Sequence, residues 1–348
     1  MSILEGKSNR LQEIDIIRSL VIVILVAYHS FAPFTGGWGS PVNVSSDNAA
    51  YFWLGKFLYN GMLETFVFIS GYVFALGAQK RNYTILSIIK GKIRRLYLPC
   101  VVFGIIFVIL FGSWQNLLTL HSWISIFNGI AHLWFLPMLF WCFILEIFII
   151  NIPIKWAFLI LLISSLSPLP TLPFHFNASL YYILFFHMGY ICFSYRYKLS
   201  TIINRYIYYI PFWLFFYIVI FYLMTNVQTI YELHSEMKIL EKIQNKFILN
   251  CSRILPSFMA VLNYYFLGLY LSSRLSNLSF QLFKKIAFYS FGVYIYQEII
   301  LRVFYYKTSF CVFWGDNIYP FIGALSTLLL SFILSYISNN IRYVKKLL

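Results

Sequence analysis

Long apolar runs recur along the whole chain, and they restrict it to folds that are stable in a membrane. About twenty apolar residues are needed for one helix to cross a bilayer. Ten such runs can be placed in the sequence. They cover residues 14–34, 57–78, 96–114, 133–150, 156–172, 180–193, 207–224, 258–271, 286–305 and 318–337. We therefore predict an all-α, polytopic integral membrane protein with about ten transmembrane helices.

The composition of the 348 residues supports a membrane protein and excludes an ordinary soluble domain. Hydrophobic residues make up 61% of the chain and charged residues only 11%, whereas roughly 25% of a soluble domain is charged. No internal repeat or change in composition divides the sequence. We therefore expect one transmembrane domain over residues 1–348.

Lysine and arginine alternate between the connections, which predicts how the chain is oriented. The connections at 35–51, 115–131 and 173–179 contain neither residue, whereas 80–95 and 342–346 are rich in both. Since cytoplasmic loops carry the excess of basic residues, both termini are predicted to be cytoplasmic. The net charge of +15 then has a topological origin. We expect membrane lipids as partners, and no nucleic acid, because the basic residues form no continuous face.

The connection at 225–257 is the one long loop on the outer side. Leu233, Met237, Leu240, Ile243 and Phe247 recur within it at helical spacing. This pattern predicts an amphipathic helix that either lies on the outer membrane surface or acts as a lid over a cavity.

The five cysteines are scattered along the chain and form no Cys-x-x-Cys pair. They are Cys100, Cys142, Cys192, Cys251 and Cys311. We interpret them as buried thiols and expect neither a disulfide framework nor a metal site.

Arg18 and His29 are ionisable residues inside the first apolar run. Polar groups at such positions are costly and commonly functional. Their spacing of eleven residues is close to three helical turns, which places them on one face about 16 Å apart along the axis. A structural alternative stays open, in which Arg18 extends to lipid phosphates and His29 bonds a backbone carbonyl.

Basic residues also cluster at the start of the third run, where Lys92, Arg94 and Arg95 follow one another closely. They cover more than one face of a helical turn, so at least one is expected to point inward. Arginine forks bind phosphate oxygens well, which indicates a polyanion site. The alternative is that these basic residues only set the orientation of the chain in the membrane.

Three further positions carry polar or small residues at informative depths. Glu64, near the outer end of the second run, is predicted to orient His29, although Lys56 or Arg302 could pair with it instead. Ser70 and Gly71 form a small notch for close approach of a helix or a ligand. His132 and Trp134 stand at the outer mouth of the fourth run and face either the interface or a cavity.

Several short strings together resemble one known family. The Arg-x10-His pattern of Arg18 and His29 is followed by FISGY at 68–72, RRLYLP at 94–99 and HLWFL at 132–136. In this order they resemble the membrane-bound acyltransferase type 3 family. Members of that family usually move an acetyl group from acetyl-CoA to hydroxyls of cell-surface or secreted carbohydrates.

The later half of the sequence resembles the family more loosely. FFHMGY at 185–190 and YFLGLY at 265–270 are similar to its aromatic–glycine segments, and YSFGVYIYQ at 289–297 to a late signature. Relatives often have histidine after that signature, where this chain has Gln297 followed by Glu298. No role is transferred to these two residues.

The resemblance implies a bacterial enzyme of the inner (plasma) membrane that acetylates a polysaccharide or its lipid-linked precursor. Under this hypothesis the donor phosphates bind near the cytoplasmic face, His29 is the general base, Glu64 assists it, and His132 and Trp134 contact the carbohydrate acceptor. The donor site would comprise Arg18, Ser70, Gly71, Lys92, Arg94 and Arg95. Direct transfer and a two-step route through acetyl-histidine both stay open. The alternative function is a secondary transporter or exporter of a glycan or small solute.

Overall fold

The computed structural model describes residues 11–41, 43–80, 84–112, 114–170, 172–206, 209–232, 237–342 and 344–347. Within these residues the secondary structure is helical, and no strand is present. The helices are α1 (Gln12–Phe31), α2 (Ala49–Tyr59), α3 (Met62–Lys80), α4 (Ile85–Lys92), α5 (Leu98–Phe111), α6 (Leu120–Asn128), α7 (Phe135–Ile149), α8 (Ile154–Ser165), α9 (Phe176–Ser194), α10 (Arg196–Tyr206), α11 (Ile210–Ile230), α12 (Ile239–Arg274), α13 (Asn277–Tyr306), α14 (Phe310–Trp314) and α15 (Tyr319–Asn340).

The prediction of an all-α, polytopic membrane protein is confirmed. Eight helical segments among the described residues are long and apolar enough to cross a membrane. The other two predicted spans also fall on helices. One is α8, which is apolar but has only 12 residues, and the other is α13, whose 30 residues include Gln297, Glu298 and Arg302.

Helices α1 and α13 lie side by side and run in the same direction. Ser19 near the start of α1 donates a hydrogen bond to the Phe283 carbonyl at 2.6 Å, and Ser30 near its end lies 2.6 Å from the Tyr305 hydroxyl. This pairing brings residues of the first span beside residues of the ninth, although they are far apart in sequence.

Helices α3 and α9 are the most intimately packed pair, and they also run in the same direction. A Cβ atom on Gly71 would collide with the Phe186 carbonyl, and one on Gly189 would collide with the Phe68 carbonyl. Each glycine therefore lets the backbone of the opposite helix approach closely. This contact anchors the large hydrophobic core formed around α1, α3, α7 and α9.

The predicted second span differs from the observed structure at its start. The chain breaks between α2 and α3 at Gly61, which has a φ of +70°. A Cβ atom there would collide with Ala260, so only glycine permits both the left-handed backbone and the contact with α12. The residues before the break form the separate helix α2, which packs on α1.

The helix predicted within the 225–257 connection is present over residues 239–257. It is continuous with the predicted span at 258–271 in the 36-residue helix α12. Near its start, Lys246 donates to the Leu169 carbonyl, and Asn250 donates to the Ser167 carbonyl at 3.0 Å. Leu233, the first residue of the predicted amphipathic pattern, lies outside the described residues.

Candidate active site

A cavity of about 280 Å³ lies at the outer end of α1 in the predicted orientation. Its walls come from α1, the connection that follows it, the junction of α2 and α3, the start of the fourth span, and α13. The lining includes His29, Trp38, His132, Trp134, Glu298 and Arg302. The cavity thus combines aromatic rings with four ionisable side chains.

Glu298 is the centre of the polar groups in this cavity. Its side chain is only 2% exposed. Arg302, one turn later on α13, donates from Nε to Oε1 at 2.7 Å, and Oε2 lies 3.1 Å from Nδ1 of His132 and 3.9 Å from Nε2 of His29. A buried carboxylate is costly unless it is paired. Here three nitrogen-bearing side chains surround it.

The local backbone fixes His132 in front of Glu298. Gly129 and Ala131 have φ values of +87° and +51°, which turn the chain sharply before the fourth span. The hydroxyl of Tyr294 then donates to the His132 carbonyl at 2.6 Å. These contacts hold His132 at the start of the span, directed toward α13.

The two nitrogens of His132 both face oxygen atoms on α13. Nε2 lies 3.2 Å from the Ile295 carbonyl, which only accepts, so Nε2 is the donor. Nδ1 faces Oε2 of Glu298 at 3.1 Å. This contact is an ion pair whenever the imidazole is protonated.

His29 lies beside His132 and Glu298. Its ring stacks on Trp38, with centroids 5.6 Å apart and planes inclined by 17°. Its buried Nδ1 lies next to the fully buried Gln297 amide, with which the imidazole interacts, but within the described residues neither Nδ1 nor the polar atoms of that amide make a hydrogen bond of good geometry. Leaving buried polar atoms unpaired costs free energy, so such a group of them indicates a place for a polar ligand.

Aromatic side chains complete the walls of the cavity. The Arg302 guanidinium lies 4.7 Å from the Trp38 ring centroid, and Trp134 lies 6.2 Å from the ring of Tyr182. On the opposite side, Tyr28 and Tyr59 have ring centroids 4.8 Å apart. Both His132 and Trp134 line the cavity. Of the two sequence interpretations, the membrane interface or a cavity, the structure agrees with the cavity.

The predicted pairing of Glu64 with His29 is wrong, as are the alternatives with Lys56 and Arg302. Glu64 lies on the face of α3 that packs toward α9 and α12. Its Oε1 accepts hydrogen bonds from Tyr181 at 3.1 Å and Ser257 at 3.2 Å, and it lies 3.8 Å from Nη2 of Arg253. These contacts direct Glu64 away from His29.

The notch at Ser70 and Gly71 serves helix packing. The backbone of α9 fills the space beside Gly71, and the Ser70 hydroxyl donates to the Phe66 carbonyl at 2.9 Å. The predicted contact of Gly71 with acetyl-CoA is therefore wrong, because the backbone of α9 leaves no room for a ligand there.

The four predicted phosphate-binding residues lie away from the cavity. Lys92 is half-buried, with Nζ 3.3 Å from the Phe143 ring centroid, so it is the inward-pointing residue expected in this cluster. Arg94 and Arg95 are exposed on the π-helical turn Ile93–Tyr97. Arg18 is half-buried on the same continuous helix as His29, so the axial separation of about 16 Å holds.

The family model described as an acyltransferase domain matches residues 11–336, nearly the whole chain. The chain belongs to the acyltransferase 3 family. This confirms the resemblance carried by the sequence strings, and the protein is a membrane acyltransferase. No curated protein and no solved structure matches it significantly.

The sequence analysis of this acyltransferase missed Glu298, Arg302 and Trp38 as site residues. A signal was present for the first two, since they are opposite charges four residues apart inside the apolar run at 286–305. No comparable signal marked Trp38, one aromatic residue among many in an outer connection.

Proposed function

We propose that the protein transfers an acetyl group from acetyl-CoA to a hydroxyl group of a carbohydrate, with His29 as general base. The observation that carries this proposal is the position of His29 in the cavity, where Oε2 of the buried Glu298 carboxylate lies 3.9 Å from Nε2. At this distance the carboxylate makes no hydrogen bond with His29, but its negative charge favours the imidazolium that general-base catalysis forms.

His29 carries the proposed proton transfers. The nitrogen of His29 that is open to the cavity accepts the proton of the acceptor hydroxyl. The hydroxyl oxygen forms a bond to the thioester carbonyl carbon, and the carbon–sulfur bond breaks. His29 then returns its proton to the departing thiolate, and Glu298 stabilises the imidazolium between these steps.

The lining of the cavity supports a carbohydrate as the acceptor. Trp38, Trp134, Tyr28 and Tyr59 present flat apolar surfaces, while His29 and Arg302 supply polar groups. A sugar ring has apolar faces and a polar edge, so it matches a site in which a few polar groups stand among aromatic walls.

The opposite end of α1 supports a phosphate-rich donor. Arg18 lies there, and Lys92, Arg94 and Arg95 lie at the cytoplasmic start of the third span in the predicted orientation. We propose that they bind the phosphates of acetyl-CoA, so that the acyl end extends about 16 Å along α1 to His29. The membrane in question would be the inner (plasma) membrane of a bacterium.

A reconstituted assay with labelled acetyl-CoA and an extracted glycan fraction tests this function. His29→Ala should abolish labelling of the glycan, whereas His121→Ala, a change at an exposed histidine outside this cavity, should leave it intact. Equal labelling by wild type and His29→Ala would refute the assignment of the base, provided that both proteins elute as folded monodisperse species.

The same assay without acceptor distinguishes direct transfer from the two-step route. Direct transfer requires the acceptor hydroxyl, so wild-type protein should release no stoichiometric burst of CoA. A burst that leaves a label on the protein, and that is absent from His29→Ala, would show an acetyl-histidine intermediate instead.

A further inference from the structure

Arg253 on α12 has an unusual environment for a residue so close to the cavity. Within the described residues its guanidinium makes no hydrogen bond, although 32% of the side chain is exposed. It is held by the Tyr181 ring, whose centroid is 4.8 Å away, and by Glu64, whose Oε1 is 3.8 Å from Nη2. A stacked arginine normally directs its planar donor groups to an oxygen-bearing partner.

Glu64 does not use these donor groups. Its Oε1 already accepts from Tyr181 and Ser257, and 3.8 Å is longer than a hydrogen bond. The Glu64 carboxylate therefore attracts the Arg253 guanidinium but accepts no hydrogen bond from its N–H groups. Since a guanidinium has five N–H donors, most of them remain available to a ligand.

Arg253 is separated from His29 by a pair of tyrosines. Tyr59 lines the cavity and interacts electrostatically with Arg253. The ring of Tyr28, 4.8 Å from that of Tyr59, lies 5.2 Å from His29. A ligand that passes over this tyrosine pair would therefore contact the base at one end and the guanidinium at the other.

Two cations and two carboxylates lie at this edge of the site. Lys56 on α2 is near enough to repel Arg253, and the carboxylates that face the two cations are Glu64 and Glu232. Glu64 has only 3% of its surface exposed, so an incoming anion meets the more exposed guanidinium first.

We infer that Arg253 binds an anionic group of the acceptor, a carboxylate or a phosphate, while the hydroxyl to be acylated lies at His29. This inference rests on the proposed function and adds the class of acceptor to it. A bidentate contact with the guanidinium would fix which hydroxyl reaches the base, since arginine binds planar carboxylates and phosphates in a defined direction. Arg253 would thus determine acceptor specificity.

The test uses glycans and lipid-linked glycans extracted from cells that lack the gene, separated by anion exchange into neutral and anionic fractions. With full-length wild-type enzyme and labelled acetyl-CoA, label should enter the anionic fraction. Chemical reduction of carboxyl groups in one portion, and phosphatase treatment of another, identify the group, because only the relevant treatment should suppress labelling.

Variants then assign the effect to Arg253. Arg253→Gln should raise the KM for the anionic acceptor about tenfold or more, and Arg253→Lys should have a smaller effect because it keeps the charge. Arg274→Gln is the matched control, since Arg274 lies at the other end of the same helix and also stacks on a tyrosine, Tyr270, at 5.8 Å.

The outcomes separate this inference from the proposed function. Labelling of the neutral fraction alone, or an unchanged KM in Arg253→Gln, would overturn the anionic acceptor and leave acetyl transfer standing. No labelling of either fraction by active, folded wild-type protein would overturn the proposed function itself.

Discussion

Glu298 connects three side chains that the sequence separates widely. Its oxygens contact Arg302 on its own helix, His132 at the start of the fourth span, and His29 on α1 at a longer distance. The buried carboxylate therefore joins α13 to the start of the fourth span and places a negative charge beside both histidines. Removing its charge would leave the histidines without a common partner.

We expect Glu298→Gln to lower kcat about 100-fold or more, because the neutral amide does not stabilise the cation of His29. Steady-state rates with purified protein measure this. Glu13→Gln is the control, since Glu13 is also a carboxylate bonded to a side chain, Tyr72 at 3.1 Å, but lies at the start of α1, away from the cavity. Equal rates for wild type and Glu298→Gln would contradict the role of the carboxylate.

The sequence predicted His29 but not its partner, for a physical reason. An ionisable residue in an apolar run is visible locally, whereas its partner depends on which helices touch. Glu64 illustrates this, because its side chain contacts Tyr181, Ser257 and Arg253 rather than the predicted His29. Depth follows from position along a helix, but direction follows from packing.

At the scale of elements, the runs of apolar residues predicted helices well because a membrane leaves few alternatives. Among the described residues each predicted run contains a helix, although the fifth run is helical only as far as Ser165. The boundaries were harder. The connection predicted at 225–257 was expected to end before the eighth span, yet α12 runs from Ile239 through it into that span and accommodates Pro256.

The contact between α3 and α9 gives a prediction for stability. Gly71→Ala and Gly189→Ala should each lower the free energy of unfolding by about 1–3 kcal/mol, because the added methyl group collides with a backbone carbonyl that cannot move alone. Thermal unfolding in detergent measures the change.

Gly91→Ala is the matched control for these glycines, since it is helical and has nothing within 4 Å of the added Cβ. It should be neutral or slightly stabilising. If the three variants unfold at the same temperature, close packing of α3 on α9 is not what the glycines provide.

At the scale of the whole molecule, the two proposed substrates approach from opposite sides. The cavity with His29 is at one end of α1, and Arg18 with the basic third-span residues is toward the other. The assignment of these ends to the two membrane faces rests on the alternation of basic connections and stays a prediction. Sequence analysis could not predict that the cavity would be assembled from five segments, because that depends on long-range contacts.

This arrangement predicts separate kinetic effects at the two ends. Arg18→Ala should raise the KM for acetyl-CoA about tenfold and change kcat much less, because it weakens phosphate binding and leaves the base in place. Proteoliposome assays with varied donor concentration measure both constants. Lys285→Ala, a change at an exposed basic residue near the same membrane face, is the control.

An unchanged KM in Arg18→Ala would assign Arg18 to lipid anchoring. The proteoliposomes give a second readout, since acetyl-CoA should support transfer only when it is supplied on the face that carries the two termini. Transfer driven equally from either face would contradict the predicted orientation.

The pairing of α1 with α13 also bears on how the enzyme is made. His29 enters the membrane early in translation, whereas Glu298 is synthesised near the end. A nascent chain stalled between these points holds the imidazole without the carboxylate. Under the proposed mechanism, incompletely inserted enzyme would therefore not hydrolyse thioester, and activity would begin only after the ribosome has passed the ninth span.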